Sequence, residues 1–314
     1  VAVTGVQTCA LPISRLRDVT LEFQPAVGAV VREQRVLVWV DRQGREQVVP
    51  APPRHYYLPR ISPDGKRIAV EVHLDKPDIW IVDVATGAMR QLTRDGVNRY
   101  PAWSLDGKRV LTIPPTAIPD QFKAKDKDGR PVMRLTSIAV APNGDIYVTD
   151  GYSSDYIHRF DKTGKYLKSF GGHEAPYSFR TMHQLAIDTR FTPARLIAND
   201  RANGRIVHLS LDGEFMGVVA KDLRAPAAVA VHGDYVAVAE LQGRAILLDK
   251  TGAIVATLSE NTVKEDIGRN STDPSHWKPG VVNAPHGITF DDAGNIYISE
   301  FSLFGRLDRF NVTK

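Results

Sequence analysis

From Arg35 onward, short runs rich in Val, Ile, Tyr and Trp alternate apolar with polar positions and are cut at close intervals by Gly-containing turns. A period of two predicts strands, and no 3.6-residue period persists beyond about two turns. The turns fall into two alternating kinds. One places a small or acidic residue ahead of an x-Gly step, at residues 62–65, 104–107, 141–144, 232–234 and 292–294, with a longer sixth version at 189–194. The other is Asp-x-x-Gly or close to it, at 41–44, 85–87, 161–164, 211–213 and 249–252. Asn-Gly and Asp-Gly steps supply the positive φ that tight hairpins need. In a four-stranded antiparallel unit the first kind joins strands one and two, and the second joins strands three and four. The last four units open at Ser137, Gln184, Ala228 and Gly287, spaced 47, 44 and 59 residues apart. That spacing belongs to propeller blades. Six hairpins of the first kind predict an all-β, six-bladed β-propeller.

Composition narrows the picture without naming a function. Of 314 residues, 43% are hydrophobic and 24% charged, an ordinary globular balance. The single Cys9 cannot form an internal disulfide, and no CxxC motif is present. No apolar run approaches the ~18 residues of a membrane helix. The 40 basic and 36 acidic residues alternate finely, so the net charge of +4 is not gathered into a basic arm. A monomer without nucleic-acid or membrane partners is expected. Residues 1–13 stand apart from all of this. From Val3 to Ile13 they match, at every position, the translation of a widely used sequencing adapter, and they are read as an artefact of metagenomic sequence. Residues 14–34 then form an N-terminal extension, and the native start is absent.

Two dialects divide the remainder. Residues 35–113 carry Ile61-Ser-Pro-Asp-Gly-Lys-Arg-Ile68, Asp78-Ile-Trp-Ile-Val-Asp83 and Ala102-Trp-Ser-Leu-Asp-Gly-Lys-Arg109, and they resemble blades of the WD-like TolB type. Residues 135–314 carry Ile138-Ala-Val-Ala-Pro-Asn-Gly-Asp-Ile-Tyr-Val148 and Ile288-Thr-Phe-Asp-Asp-Ala-Gly-Asn-Ile-Tyr-Ile298, and they resemble NHL repeats. Between them, residues 114–134 read as a polar linker or loop with four Pro. One ring of mixed TolB-like and NHL-like blades is expected. The junction is open to two readings: two joined genes, a chimera, or one propeller with divergent blades.

Aligning the units sets Thr136, His183, Ala227 and His286 at the same position, just before each innermost strand. Two His at matched positions would face each other across the mouth of the central channel. Imidazoles gathered there can bind a divalent metal such as Zn²⁺, or each can hydrogen-bond a neighbouring loop. The second strand of each late unit ends in an acid, Asp150, Asp200, Glu240 and Glu300. Converging carboxylates could hold Ca²⁺, as in lactonases of the six-bladed type. A carboxylate repeated in every blade could equally be architecture, pairing with Arg or capping turns. Arg201, beside Asp200, is a further channel-mouth candidate.

The strings Asp150-Gly151-Tyr152, Tyr156-Ile-His-Arg-Phe160, Met182-His183, Asp200-Arg-Ala-Asn-Gly-Arg-Ile206 and Pro285-His286-Gly287 resemble the bacterial NHL-propeller family related to peptidyl-α-hydroxyglycine α-amidating lyase. The resemblance covers residues from about 135 to 310. It implies that His183 and His286 are metal ligands with zinc as the cofactor; calcium, on the carboxylate reading, is the lesser alternative. It implies that Tyr152 is the base on a substrate hydroxyl, in a reaction releasing glyoxylate and a carboxamide. It also implies export from the cell. A third His and an assisting Arg would come from earlier blades, where the equivalent position carries Arg99, which is no ordinary metal ligand. Catalytic zinc usually has three protein ligands. Binding of a small peptide-like ligand or a metal at the channel is therefore expected ahead of turnover. If active, the chain would be a metal-dependent lyase of the amidating type. The alternatives are a non-catalytic scaffold for a protein or peptide partner, and a Ca-dependent lactonase-like hydrolase.

Overall fold

The computed structural model describes residues 19–25, 35–41, 46–74, 76–96, 101–104, 106–304 and 306–311. Residues 1–13 and Arg99 lie outside the described residues, as does most of the segment 14–34. The chain divides into two compact units.

The first unit holds three sheets. Strands β1 (Val19–Pro25), β2 (Arg35–Asp41) and β3 (Glu46–Val48) form a meander. Strands β4 (Tyr56–Ile61), β5 (Arg67–His73), β6 (Pro77–Asp83) and β7 (Met89–Gln91) form a four-stranded blade. Strands β8 (Ala102–Trp103) and β9 (Val110–Leu111) form a short hairpin. Leu37, Val49 and Ala51 are buried against Tyr56, Ile68, Val70 and Val82, which builds one core from meander and blade.

A 3₁₀ turn at Pro115–Ala117 spans the boundary, and the second unit continues with a 3₁₀ turn at Asp120–Phe122 and the small pair β10 (Ala124–Lys125) and β11 (Pro131–Val132). Asp126 accepts the amides of Asp128 and Arg130, so its carboxylate caps its own turn. Three four-stranded blades come next. The first is β12 (Ser137–Val140), β13 (Ile146–Thr149), β14 (Tyr156–Phe160) and β15 (Tyr166–Gly171). The second is β16 (Met182–Asp188), β17 (Arg195–Asp200), β18 (Arg205–Ser210) and β19 (Phe215–Ala220). The third is β20 (Pro226–His232), β21 (Tyr235–Glu240), β22 (Arg244–Leu248) and β23 (Ile254–Glu260). The last sheet has three strands, β24 (Pro285–Phe290), β25 (Ile296–Glu300) and β26 (Leu307–Phe310). Every pairing is antiparallel between chain neighbours.

The architecture is thus an all-β propeller, with five blades among the described residues where six were expected. The missing one is the unit of the 104–107 turn, which supplies β8 and β9 and goes no further. Pro114 and Pro115 come soon after β9. Proline has no N–H to donate to a ladder, so no third strand can grow at that point.

Burial falls from the inner strands outward, as propeller geometry requires. Val236, Val238 and Ala239 of β21 are fully buried, while Ile254 and Val255 of the outer β23 are about half exposed. Apolar faces of successive sheets meet in interior layers, two of which illustrate the packing. Tyr147, Ile157, Leu185, Leu196 and Val207 form one, and Ile197, Ile206, Val229, Val236 and Ile246 the next. The turns obey the sequence chemistry closely. Asp249 accepts the amides of Thr251 and Ala253, and Gly252 takes φ +89°. A Cβ on Gly252 would sit 2.1 Å from the Val219 carbonyl oxygen, so glycine is needed for space as well as for φ.

One buried imidazole makes stability depend on pH. His158 in β14 has no exposed surface, and its Nδ1 bonds the Ser169 hydroxyl at 2.7 Å. Burial, assisted by the positive charge of Lys123, pulls its pKa down to about 4. The folded value lies below the unfolded one near 6.5, so the contribution is complete above pH 6.5 and is lost as pH falls toward 4. Unfolding in urea is expected to weaken by roughly 2–3 kcal/mol between pH 7.5 and 4.5. In His158→Gln that decline should be flatter; an unchanged pH profile would remove His158 as the cause.

Candidate functional site

The aligned positions before the inner strands prove to be a repeated structural device. In β16 the pairing with β17 jumps between Met182 and Gln184, leaving His183 as the extra residue of a bulge. The same jump falls between Pro226 and Ala228 in β20 and between Pro285 and Gly287 in β24. Ala227 and His286 are therefore the bulge residues of the next two blades. A bulged residue leaves the ladder and its side chain is re-aimed. Thr136, at the equivalent place, is instead paired through its amide to the Thr149 carbonyl.

This device brings the two imidazoles together. The rings of His183 and His286 are 4.8 Å apart, centroid to centroid, and perpendicular at 89°. Between their blades stands Ala227, whose side chain is only a methyl. His183 is fully buried and His286 nearly so.

Hydrogen bonds settle which nitrogen of His183 carries the proton. Nδ1 lies 2.7 Å from the Ala227 carbonyl oxygen, which can only accept. The ring therefore donates from Nδ1, and Nε2 presents a lone pair. The Tyr152 hydroxyl lies 2.9 Å from Nε2 and donates to it. Arg201 Nη1 in turn donates to the Tyr152 oxygen at 3.2 Å, and its guanidinium lies 5.3 Å from the ring centroid. Tyr152 is 37% exposed, so the chain of bonds ends at solvent. The imidazole of His183 is held well below its ordinary pKa, chiefly by burial, then by the charges of His286 and Arg201. It stays neutral near pH 7. Phe301 lies beside His286 with ring centroids 5.7 Å apart.

The backbone under this cluster is tightly made. Thr136 Oγ1 donates to the Met182 carbonyl at 2.8 Å and accepts from the Gly151 amide at 3.3 Å. Asp155 accepts the Met182 amide at 2.6 Å. Gly151 crosses so close to Met182 that a Cβ there would lie 1.9 Å from its carbonyl oxygen. The glycine of the Asp-Gly-Tyr string is needed for that approach, and it sets Tyr152 beside His183.

The four carboxylates form a second repeated device. Each accepts a backbone amide just upstream of its own blade's inner strand: Arg134 to Asp150, Arg180 to Asp200, Arg224 to Glu240, and Asn283 with Ala284 to Glu300. Three of them also meet an Arg at or just ahead of the third strand: Arg205 at 2.7 Å, Arg244 at 2.9 Å and Arg306 at 3.4 Å. Asp150 takes the Ser153 and Ser154 hydroxyls instead. Burial raises the pKa of Asp150 and Glu300. Each acid thus clasps its own blade, and among the described residues no group of three His, Cys, Asp or Glu is gathered to hold a metal.

For zinc, His183 is held as a ligand would be, and the donors are too few. An imidazole fixed by Nδ1–H to a carbonyl is the usual stance of a metal ligand. His173, which could have added a third, pairs with Asp155 at 2.9 Å. Two imidazoles fall short of a three-ligand site. Sequence reasoning did not foresee the closeness of Gly151 to Met182, the Ala227 acceptor or the Phe301 contact. One signal was available: Gly151, Arg201, Leu241 and Phe301 each come directly after the acid that ends the second strand.

No family model matches the chain. Two curated relatives are similar to it, both from Drosophila melanogaster. Peptidyl-alpha-hydroxyglycine alpha-amidating lyase 1 is 32% identical over 148 residues, which cover 44% of this chain and 24% of that protein. Peptidyl-alpha-hydroxyglycine alpha-amidating lyase 2 is 24% identical over 303 residues, covering 88% of this chain and 70% of that protein. The chain thus spans about a quarter of the first relative's length. Among solved structures, a nidogen/laminin complex aligns over 85% of this chain and 82% of the matched one, at TM-score 0.48 and 13% identity. The blade architecture and the similarity to the two lyases together support an NHL-type propeller.

Proposed function

We propose that this NHL-type propeller binds a small peptide-like ligand ending in an α-hydroxy acid, the chemistry of a peptidyl-α-hydroxyglycine, at the cluster of Tyr152, His183, Arg201 and His286. One observation carries the reading: the Tyr152 hydroxyl donates its proton to His183 and accepts one bond from Arg201. Tyr152 is partly exposed, so its hydroxyl is placed to meet a ligand hydroxyl. Arg201 supplies donors for the neighbouring carboxylate. The sequence similarity to the amidating lyases favours the same ligand class.

Binding without efficient turnover is the expectation. Cleavage to glyoxylate and a carboxamide requires the hydroxyl proton to be taken up while the C–N bond breaks and the amide nitrogen is protonated. His183, buried and already paired to Tyr152, is a poor store for that proton. Two imidazoles leave a zinc ion one protein ligand short. Were zinc bound, His183 and His286 would hold it, and it would act as a Lewis acid on the ligand oxygen.

Titration calorimetry with N-benzoyl-α-hydroxyglycine tests the reading. Saturable binding is expected, weakened about tenfold by Tyr152→Phe and about tenfold or more by Arg201→Ala. Glyoxylate should not accumulate above the uncatalysed rate. Absence of saturable binding, or equal affinity in both variants, would leave the interaction-scaffold reading in its place. Metal analysis of the parent and of a His183→Ala, His286→Ala double variant reports separately on zinc.

A further inference from the structure

The first unit contains a cleft of about 330 Å³ between the β6–β7 edge of its blade and the β8–β9 hairpin. Its wall is apolar, made by Ile81, Met89, Leu92, Trp103 and Val110. Trp103 is buried, and its indole N–H is already used on the Arg60 carbonyl at 2.9 Å, so the ring offers only its apolar surface. Arg67, Arg90 and Lys108 line the same cleft. Arg67 is fixed in place, lying 4.9 Å over the Trp103 ring and donating to the Gly107 carbonyl at 2.9 Å.

Asp83 is the one carboxylate of the lining, and its negative charge offsets one of the three cations. Its Oδ1 is taken by the amide and hydroxyl of Thr86 at 2.9 and 2.7 Å. No ion pair of Arg90 or Lys108 is found among the described residues, and both side chains are exposed. The hairpin explains why the wall is open. A complete blade would lay two further strands beyond β9, whereas here the sheet ends with β9.

We propose that this cleft is a second binding site, for a small aromatic carboxylate whose ring lies along Trp103 and Met89 and whose carboxylate meets Arg90 and Lys108 at the rim. The volume lies at the lower end of the range for small-molecule sites. An apolar wall with Arg90 and Lys108 at its exposed rim favours a flat apolar body with one negative end over a cation or a neutral ligand.

The test uses the full chain and 2-naphthoate, measured by titration calorimetry. Saturable one-to-one binding is expected, with affinity reduced at least tenfold in an Arg90→Glu, Lys108→Glu double variant. Both positions are exposed, so the circular dichroism of that variant should match the parent. Neutral 2-naphthalenemethanol should bind at least tenfold more weakly than 2-naphthoate. Arg201→Ala, in the other unit, should leave naphthoate affinity unchanged. Non-saturable binding, equal affinity in the double variant, equal affinity for the neutral alcohol, or loss on Arg201→Ala would each overturn the proposal.

Discussion

Asp188→Ala is expected to lower the unfolding free energy by about 3–5 kcal/mol, the largest loss from any single change considered. The carboxylate is fully buried at the end of β16. It accepts Arg190 Nε at 2.9 Å and Nη2 at 2.7 Å, and His208 Nε2 at 2.9 Å. The Arg190 side chain is only 1% exposed. Its other arm donates to the carbonyls of Asp234 and Asp249, which belong to two turns of the next blade. The triad thus ties neighbouring blades together at their turn ends. Deleting the carboxylate leaves a guanidinium in the interior without its counter-charge, and that desolvation penalty dominates the loss. A double change, Asp188→Leu with Arg190→Met, should therefore be less destabilising than Asp188→Ala alone; urea unfolding compares them directly. Burial by itself would raise the Asp188 pKa, but the hydrogen bonds from Arg190 and His208 outweigh it and hold the group well below the usual carboxylate range. Its folded value lies under the unfolded one, near 3.9, so the contribution is present above about pH 4 and is lost as pH falls below it.

Gly151→Ala should be nearly as damaging, and damaging to the site in particular. The added methyl would meet the Met182 carbonyl oxygen at 1.9 Å and its carbon at 2.5 Å. Both atoms are backbone, so no side chain can swing aside. Either Tyr152 or the start of β16 must move, and each carries one end of the Tyr152–His183 bond. The expected result is a loss of about 3 kcal/mol or more in unfolding free energy. Affinity for N-benzoyl-α-hydroxyglycine should fall at least as far as in Tyr152→Phe. If Gly151→Ala binds like the parent, the close crossing does not position the tyrosine.

Much of this architecture was legible before any coordinates. Strand periodicity and the Asn-Gly and Asp-x-x-Gly turns located the blades of the second unit, because those turns need only local chemistry. The shared position of His183, Ala227 and His286 was legible too, since a repeat sets equivalent residues before each inner strand. The blade number was not. A hairpin announces the first half of a blade, while its completion depends on the residues beyond it, and Pro114-Pro115 stops the ladder. The four acids could be read either as a converging ligand set or as separate clasps. Only the register decides, by setting Asp200 near Arg205 and Glu240 near Arg244 in their own blades. Gly151 had no local signature, since its constraint is contact with a residue 31 positions away. Asp188 was equally silent, because the burial of one turn acid among many is a property of the next blade.

The bulges at His183, Ala227 and His286 carry a consequence for how such a chain can change over generations. A residue inside a ladder is constrained by partners on both sides, so altering it disturbs the sheet. A residue expelled from the ladder has no such obligation. These three positions act as sockets around one rim, where imidazole, methyl or hydroxyl can be exchanged while every pairing below stays in register. An exchange there costs the packing and hydrogen bonds of one side chain, such as the His183 bond to the Ala227 carbonyl, and leaves the strand register of the blade alone.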